Sequence, residues 1–326
     1  MFESIRKVKE QFLWEPELRG DRGQGLGARK IIVCGMGGSN VASGFLEMLR
    51  PDLEIVAHRS YGLPANAKKG DLIIISSYSG NTEEALDSFE KAVNGGFNAV
   101  AITTGGKLLE LAKEKNISYF QIPETGIQPR MALGFSLLAM LKAVGDEENL
   151  KKAREFGEKF SPDKSEKEGI GLAEKLAGKI PVIYSSWNNK AIAYAWKVKL
   201  SETGKVPAFS NVFSELNHSE MIGFLAQGAA PEGVCGGAIN PHFIFLKDSQ
   251  DHSRIQKRME ITEAMFKEKR FAVDAFNLAG ESFEKIFNSL ALADWVSYNL
   301  AKNSGFDPED SSIIEEFKEK IKPLSP

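Results

Sequence analysis

Apolar residues along this chain follow two alternating rhythms. Short unbroken runs such as Ile31-Ile32-Val33-Cys34, Leu72-Ile73-Ile74-Ile75 and Ala99-Val100-Ala101-Ile102 each give way to a polar or glycine-bearing turn. After the turn, apolar residues return every three or four positions. The runs predict strands buried on both faces, and the periodic stretches predict helices with one apolar side. In the first half this places strands at 30–34, 53–56, 72–75, 99–103 and 117–122, and helices at 41–49, 83–94, 107–115 and 131–144. Phe2, Ile5, Val8, Phe12 and Leu13 sit at helical spacing and predict a packing arm, whereas the glycine-rich 18–27 segment reads as a loop.

The second half repeats the plan. A helical stretch at 170–177 precedes a strand at 181–184, the polar turn 185–189 and a helix at 191–200. A strand at 243–248, a charged helix from His252, a strand at 271–276 and helices at 283–302 and 313–321 follow. Between the halves, 145–169 is dominated by Glu and Lys and predicts a solvated helical connector. Three segments are expected: an N-terminal domain over 1–145, a charged helical linker over 146–169 and a C-terminal domain over 170–326. Strand–turn–helix units in both halves predict an α/β fold of two doubly wound, mainly parallel sheets related by internal duplication. Ligand is expected at the C-terminal ends of the strands.

Composition narrows the function. The chain has 326 residues, and its 42% hydrophobic and 26% charged fractions suit a globular enzyme with a sizeable core. A net charge of −3, with no basic tail or arginine cluster, argues against nucleic acid or an anionic membrane as partner. Cys34 and Cys235 are too few for a disulfide framework or a zinc site, and the four histidines lack metal-ligand spacing. The N-terminus is amphipathic and charged rather than signal-like, and no apolar run reaches membrane-spanning length. A cytoplasmic protein without metal or other cofactor is expected.

Chemistry concentrates in two turns. After the apolar run 72–75 come Ser76, Ser77, Ser79, Asn81 and Thr82 around Gly80, and then the helical period begins at Glu83. The first turn of a helix leaves backbone N–H groups unpaired and carries partial positive charge, so hydroxyls beside it make a phosphate cradle. Thr82 or Asn81 acting as a simple N-cap is the plainer alternative, although a cap needs one hydroxyl and this turn offers several. Gly35-Met36-Gly37-Gly38-Ser39 follows the strand at 30–34. It fails as a dinucleotide fingerprint because the third glycine position holds Asn40, and it lacks the Gly-Lys-Ser/Thr of a nucleotide P-loop. Two hydroxyl-bearing turns after neighbouring strands point to one small phosphorylated ligand between them.

Gly-Met-Gly-Gly-Ser39 together with Ser77-Tyr-Ser79-Gly-Asn-Thr82-Glu resembles the sugar isomerase (SIS) domain, and the whole chain resembles the bifunctional phosphoglucose/phosphomannose isomerases. The resemblance implies two SIS domains, a homodimer, no metal and no nucleotide. It also implies aldose–ketose isomerisation of hexose 6-phosphates by proton transfer through a cis-enediolate. Gly38, Ser39, Ser77, Ser79 and Thr82 would hold the phosphate. Glu202, in Leu200-Ser-Glu202-Thr-Gly204, would be the base, and His218, in Ser214-Glu-Leu-Asn-His218-Ser-Glu220, the ring-opening acid/base contributed across the dimer. Thr203 and Gly204 depart here from the family's Glu-Asn-Ala-Lys.

By residue type alone, Glu215 and Glu220 rival Glu202 as the base, and Asn217, Glu215 and Glu220 are available to orient His218. His58, His242 and His252 read as ordinary strand-edge or helix residues. Arg130 stands at a helix start, where the dipole disfavours a cation, and the resemblance implies that it stabilises the enediolate. Lys302, in the last long helix, would contact the sugar near its ring oxygen. The family threonine linked to mannose phosphate falls on Val296 or Ser297, leaving that activity open, and Ser297 is the candidate sugar contact. A sugar-phosphate sensor built from the same domains is the rival from another class.

Overall fold

The computed structural model describes residues 1–20, 27–227 and 240–321; Cys235 lies outside them. Helix α1 (Phe2–Arg6) and a 3₁₀ segment (Lys7–Leu13) lead to the short strand β1 (Leu18–Arg19). Next come β2 (Lys30–Cys34), α2 (Gly38–Leu49), β3 (Glu54–His58), β4 (Leu72–Ser76) and α3 (Glu83–Asn94). β5 (Asn98–Thr103), α4 (Gly106–Glu114), β6 (Ser118–Gln121) and a 3₁₀ turn (Pro129–Met131) precede α5 (Leu133–Ala143). After α6 (Glu147–Lys159) and α7 (Glu166–Leu176), the second half runs β7 (Ile180–Ser186), α8 (Lys190–Glu202), β8 (Phe209–Phe213) and α9 (Glu220–Gln227). It closes with β9 (Pro241–Lys247), α10 (Ser253–Glu268), β10 (Ala272–Asn277), α11 (Ser282–Asn303) and α12 (Ser312–Ile321).

Two sheets form, with strand orders β1-β6-β5-β4-β2-β3 and β10-β9-β7-β8. Every pairing is parallel except that of β1, which joins β6 antiparallel through Leu18 opposite Phe120. Alternate residues of each buried strand face opposite layers. Ile31, Val33, Leu72 and Ile74 enter one core with α2 and α5, while Ile32, Cys34, Ile73 and Ile75 pack on α3 and α4. Cover on both faces is why these strands are unbroken apolar runs. The first core continues into the second half through Ile183, Ile244, Trp196 and Leu290, so α2, α5, α8 and α11 lie together between the sheets. A helix covered on both sides has no polar face, which accounts for the nearly uniform burial of α5.

The structure adds β1 and β8 to the expected strands. The 18–27 segment contributes Leu18 and Arg19 to a sheet edge, too short to show a pattern. β8, Phe-Ser-Asn-Val-Phe, is also an edge strand, with Phe209 exposed and Ser210, Asn211 and Val212 half-buried. Leu13, placed with the packing arm by its spacing, is instead 52% exposed, because the helix tightens to 3₁₀ at Lys7 and rotates it outward. The Glu- and Lys-rich stretch after 145 forms α6 and α7. Its polar side is solvated, and its few aromatics are buried: Phe156 and Phe160 pack with Phe12 at 5.0 and 6.1 Å between ring centroids.

Candidate active site

The two glycine- and hydroxyl-bearing turns meet at the C-terminal ends of β2 and β4. Ser39 joins them: its carbonyl accepts from Ser76 Oγ at 2.8 Å, and its hydroxyl accepts from the Tyr78 amide at 3.0 Å. Within the second turn Ser77 Oγ donates to Thr82 Oγ1 at 3.0 Å and accepts from Gly80 N at 3.1 Å. Ser79 Oγ accepts from Asn81 N at 3.3 Å. Thr82 occupies the N-cap of α3, yet its side chain makes no capping bond. Capping therefore does not account for the hydroxyls. Ser77 is fully buried and supports Thr82, whereas Ser79 and Thr82 reach solvent at the helix start. Gly80 adopts φ +72°, and any side chain there would collide with the Gly105 carbonyl, so the turn admits glycine alone.

Gly38 brings in the next component. A β-carbon on it would lie 2.8 Å from Arg130 N and 2.9 Å from Arg130 Cα, so the 3₁₀ turn carrying Arg130 sits directly on the α2 start. That turn is held from two sides. Gln11 donates to Met131 O at 2.7 Å and accepts from Gly134 N at 2.9 Å, capping α5 from the N-terminal arm. Lys199 donates to Arg130 O at 3.1 Å and to Asp294 at 2.6 Å, all three residues being buried. Burial raises the Asp294 carboxyl, and the Lys199 ammonium opposes that rise.

The Arg130 side chain is 3% exposed and only partly satisfied. Its Nε donates to Thr203 Oγ1 at 2.6 Å and its Nη2 to Pro308 O at 2.8 Å. The Nη1 contacts are long, 3.4 Å to Gln128 Oε1 and 3.5 Å to Glu202 Oε2. Those N–H groups are therefore the ones able to tighten onto a new oxyanion. Glu202 ends α8 and faces the glycine turn: a β-carbon on Gly37 would be 3.8 Å from its Oε1. Burial raises the Glu202 carboxyl above its usual range, against the pull of Arg130, then Lys199 and Lys205. A cavity of about 620 Å³ opens beside Glu202, lined also by Lys205, Phe306 and the start of α12.

Other expected groups are placed differently. Glu215 is exposed and Glu220 accepts from Asn211 Nδ2 at 2.6 Å, so neither shares the Arg130 surroundings. His218, at the end of a 3₁₀ turn (Glu215–His218), is exposed and is not among the groups around Glu202 in the same chain. Of its expected orienting partners, Asn217 is engaged elsewhere: its amide donates to Thr262 at 2.9 Å and accepts from Arg258 at 3.3 Å. Lys302 is exposed near the end of α11. Val296 and Ser297 are both fully buried, and Ser297 Oγ has no partner among the described residues.

His58 bonds Tyr61 O at 3.2 Å and His252 caps α10, the ordinary duties expected of them. His242 is buried on Asp274 at 2.7 Å. The Cys34 thiol is pushed up to about 12 by burial and offers no nucleophile. No cluster of metal-ligating side chains occurs among the described residues, and no helix there is long and apolar enough to cross a membrane.

Sequence reasoning missed Thr203, Lys199, Asp294 and Gln11. Thr203 was legible only as a departure from the family motif, and it proves to hold Arg130. Asp294 carried a stronger signal, a lone carboxylate inside the apolar run 290–296.

Residues 165–321 match the family model of the bacterial phospho-glucose isomerase C-terminal SIS domain. A bifunctional phosphoglucose/phosphomannose isomerase from Aquifex aeolicus is 35% identical, with 98% of this chain and 99% of the relative aligned. Another from Caldicellulosiruptor bescii is 34% identical over 98% of both chains. The solved C-terminal domain of glucosamine-fructose-6-phosphate aminotransferase from Francisella tularensis shares the fold, with a TM-score of 0.64 at 16% identity over 95% of this chain and 96% of that one. With a third of its residues identical from end to end, and the hydroxyl turns set against buried Arg130 and its partner Glu202, the chain belongs to the bifunctional phosphoglucose/phosphomannose isomerase family.

Proposed function

We propose that this protein interconverts glucose 6-phosphate and fructose 6-phosphate, and mannose 6-phosphate and fructose 6-phosphate, through a cis-enediolate. The observation that carries the reading is Glu202, its carboxyl raised by burial, 3.5 Å from an under-satisfied arginine and facing the glycine turn of a phosphate cradle. Phosphate rests on Ser79 and Thr82 at the start of α3 and on the Gly38–Ser39 turn, with Ser77 bracing Thr82. His218 of the partner subunit opens the sugar ring, and Lys302 contacts the ring oxygen. Glu202 removes the C2 proton of the open aldose, leaving negative charge on O1, and Arg130 tightens onto it. A proton passes from O2 to O1, and Glu202 returns its proton to C1. The enediolate is neutralised as it forms, by a cation already desolvated. In this reading 1–145 holds phosphate, 146–169 connects, and 170–326 supplies the base.

Exchange of the C2 proton with deuterated solvent tests the reading directly. Glu202→Gln is expected to keep binding glucose 6-phosphate while exchange and isomerisation fall about a thousandfold or more. Wild-type protein that binds the sugar phosphate but exchanges no C2 proton would make it a sensor instead.

A further inference from the structure

The phosphate cradle occupies a particular place in the first sheet. The chain leaves β2 for β3 and β4 for β5 in opposite directions, so a crevice opens between the ends of β2 and β4. The second sheet has its own crevice. In the order β10-β9-β7-β8 the chain leaves β7 for β8 and β9 for β10, again in opposite directions. A cavity of about 600 Å³ lies there, floored by the turns after β7 and β9 and walled by α2.

Its chemistry is unlike that of the first crevice. Buried Lys285 donates to Asp248 Oδ2 at 2.6 Å and to Gln250 Oε1 at 3.0 Å, which leaves one ammonium N–H without a described bond. Asp248 is fully engaged, accepting also from Asn189 Nδ2 and the Gln250 amide. Asp251 is not. It is 6% exposed, lines the cavity, and its Oδ2 has no hydrogen-bond partner among the described residues. Burial raises its carboxyl, Asp248 adds to the rise, and the nearby Ser186 hydroxyl, Lys285 and Asn188 relieve it only in part. A buried carboxylate oxygen without a donor is costly even where its neighbour is bonded, and a donor from a ligand would satisfy it. Trp187, 63% exposed, stands at the mouth.

We propose that the β7–β9 crevice is a second ligand site, for an unphosphorylated polyol such as a free sugar or amino sugar. A ligand hydroxyl or amino group donates to Asp251, a ligand oxygen accepts from Lys285, and the ring lies against Trp187. Charge selects against phosphate, because the carboxylates of Glu47, Glu54, Asp248 and Asp251 outnumber the ammonium groups of Lys190 and Lys285. The inference does not depend on the isomerase reading.

Titration calorimetry on the full chain, with D-glucose and D-glucosamine as probes, tests it. Both sugars are expected to bind in the millimolar range, glucosamine more tightly. Trp187→Ala and Asp251→Asn each weaken binding about tenfold, while Thr82→Ala, in the first crevice, leaves it unchanged. Asp251→Asn should also melt at a higher temperature than wild type, which separates lost affinity from lost folding. The proposal falls if wild-type protein binds neither sugar, if Thr82→Ala alone abolishes binding, or if Asp251→Asn melts lower than wild type.

Discussion

At the scale of single residues, the proposed role of Glu202 as base ties the pH dependence of activity to its environment. Its carboxyl is raised by burial and pulled back chiefly by Arg130. A base must be ionised, so kcat/KM falls as pH drops through this raised value, and the acidic limb should lie above that of an ordinary glutamate. Arg130→Gln removes the main opposing charge; the limb should then move to still higher pH while kcat falls, as a pH–rate profile would record. The same sign applies to stability. Folded Glu202 holds its proton to higher pH than the unfolded chain does, so its contribution becomes unfavourable above the unfolded value, and Glu202→Gln should melt higher at neutral pH. Ser297 offers a contrasting case. Its buried hydroxyl has no partner among the described residues, and Ser297→Ala should stabilise by about 1 kcal/mol in denaturant titrations. A changed glucose-to-mannose phosphate ratio in that variant would instead mark Ser297 as a sugar contact. Pattern alone exposed Arg130, a cation at a helix start, but not its partner Thr203, because that bond joins residues 73 positions apart.

At the scale of elements, the Pro129–Met131 turn is constrained from three directions. It is held against α2 through Gly38, by Lys199 from α8 and by Gln11 from the N-terminal arm. Gly38→Ala would place a methyl group within 2.9 Å of its backbone. We expect a loss of about 1–3 kcal/mol in stability, with a larger proportional loss in kcat/KM because the shift carries Arg130 with it. Unfolding and steady-state measurements on the same variant would separate the two effects. The strands and helices around this turn were legible because each buries a continuous face. β8 was not, since a half-buried edge strand mixes polar and apolar residues and leaves no apolar run.

At the scale of the molecule, two sheets share one layer of helices, and the proposed site lies where the halves meet. The phosphate turns come from β2 and β4, the arginine from the turn before α5, and the base from the end of α8. His218 is exposed and apart from them. If His218 of the partner subunit completes the site, two inactive variants should rescue one another. Glu202→Gln and His218→Gln, unfolded together and reassembled, should recover roughly a quarter of wild-type activity, because half the dimers carry one intact site. No recovery would mean that His218 does not act across the dimer.

The sequence by itself determined the alternation of buried strands and one-sided helices, the hydroxyl turns, and the resemblance that singled out Glu202 and His218. These are local: burial leaves its period in neighbouring positions, and a phosphate turn needs its hydroxyls within a few residues. Only the tertiary structure decided which carboxylate meets the arginine and that Thr203, Lys199, Asp294 and Gln11 hold that arginine in place. It also decided that Ser297 is sealed inside the helical layer and that a second crevice lies between β7 and β9. Those outcomes depend on desolvation and on contacts between residues far apart in the chain, and neither leaves a period in the sequence.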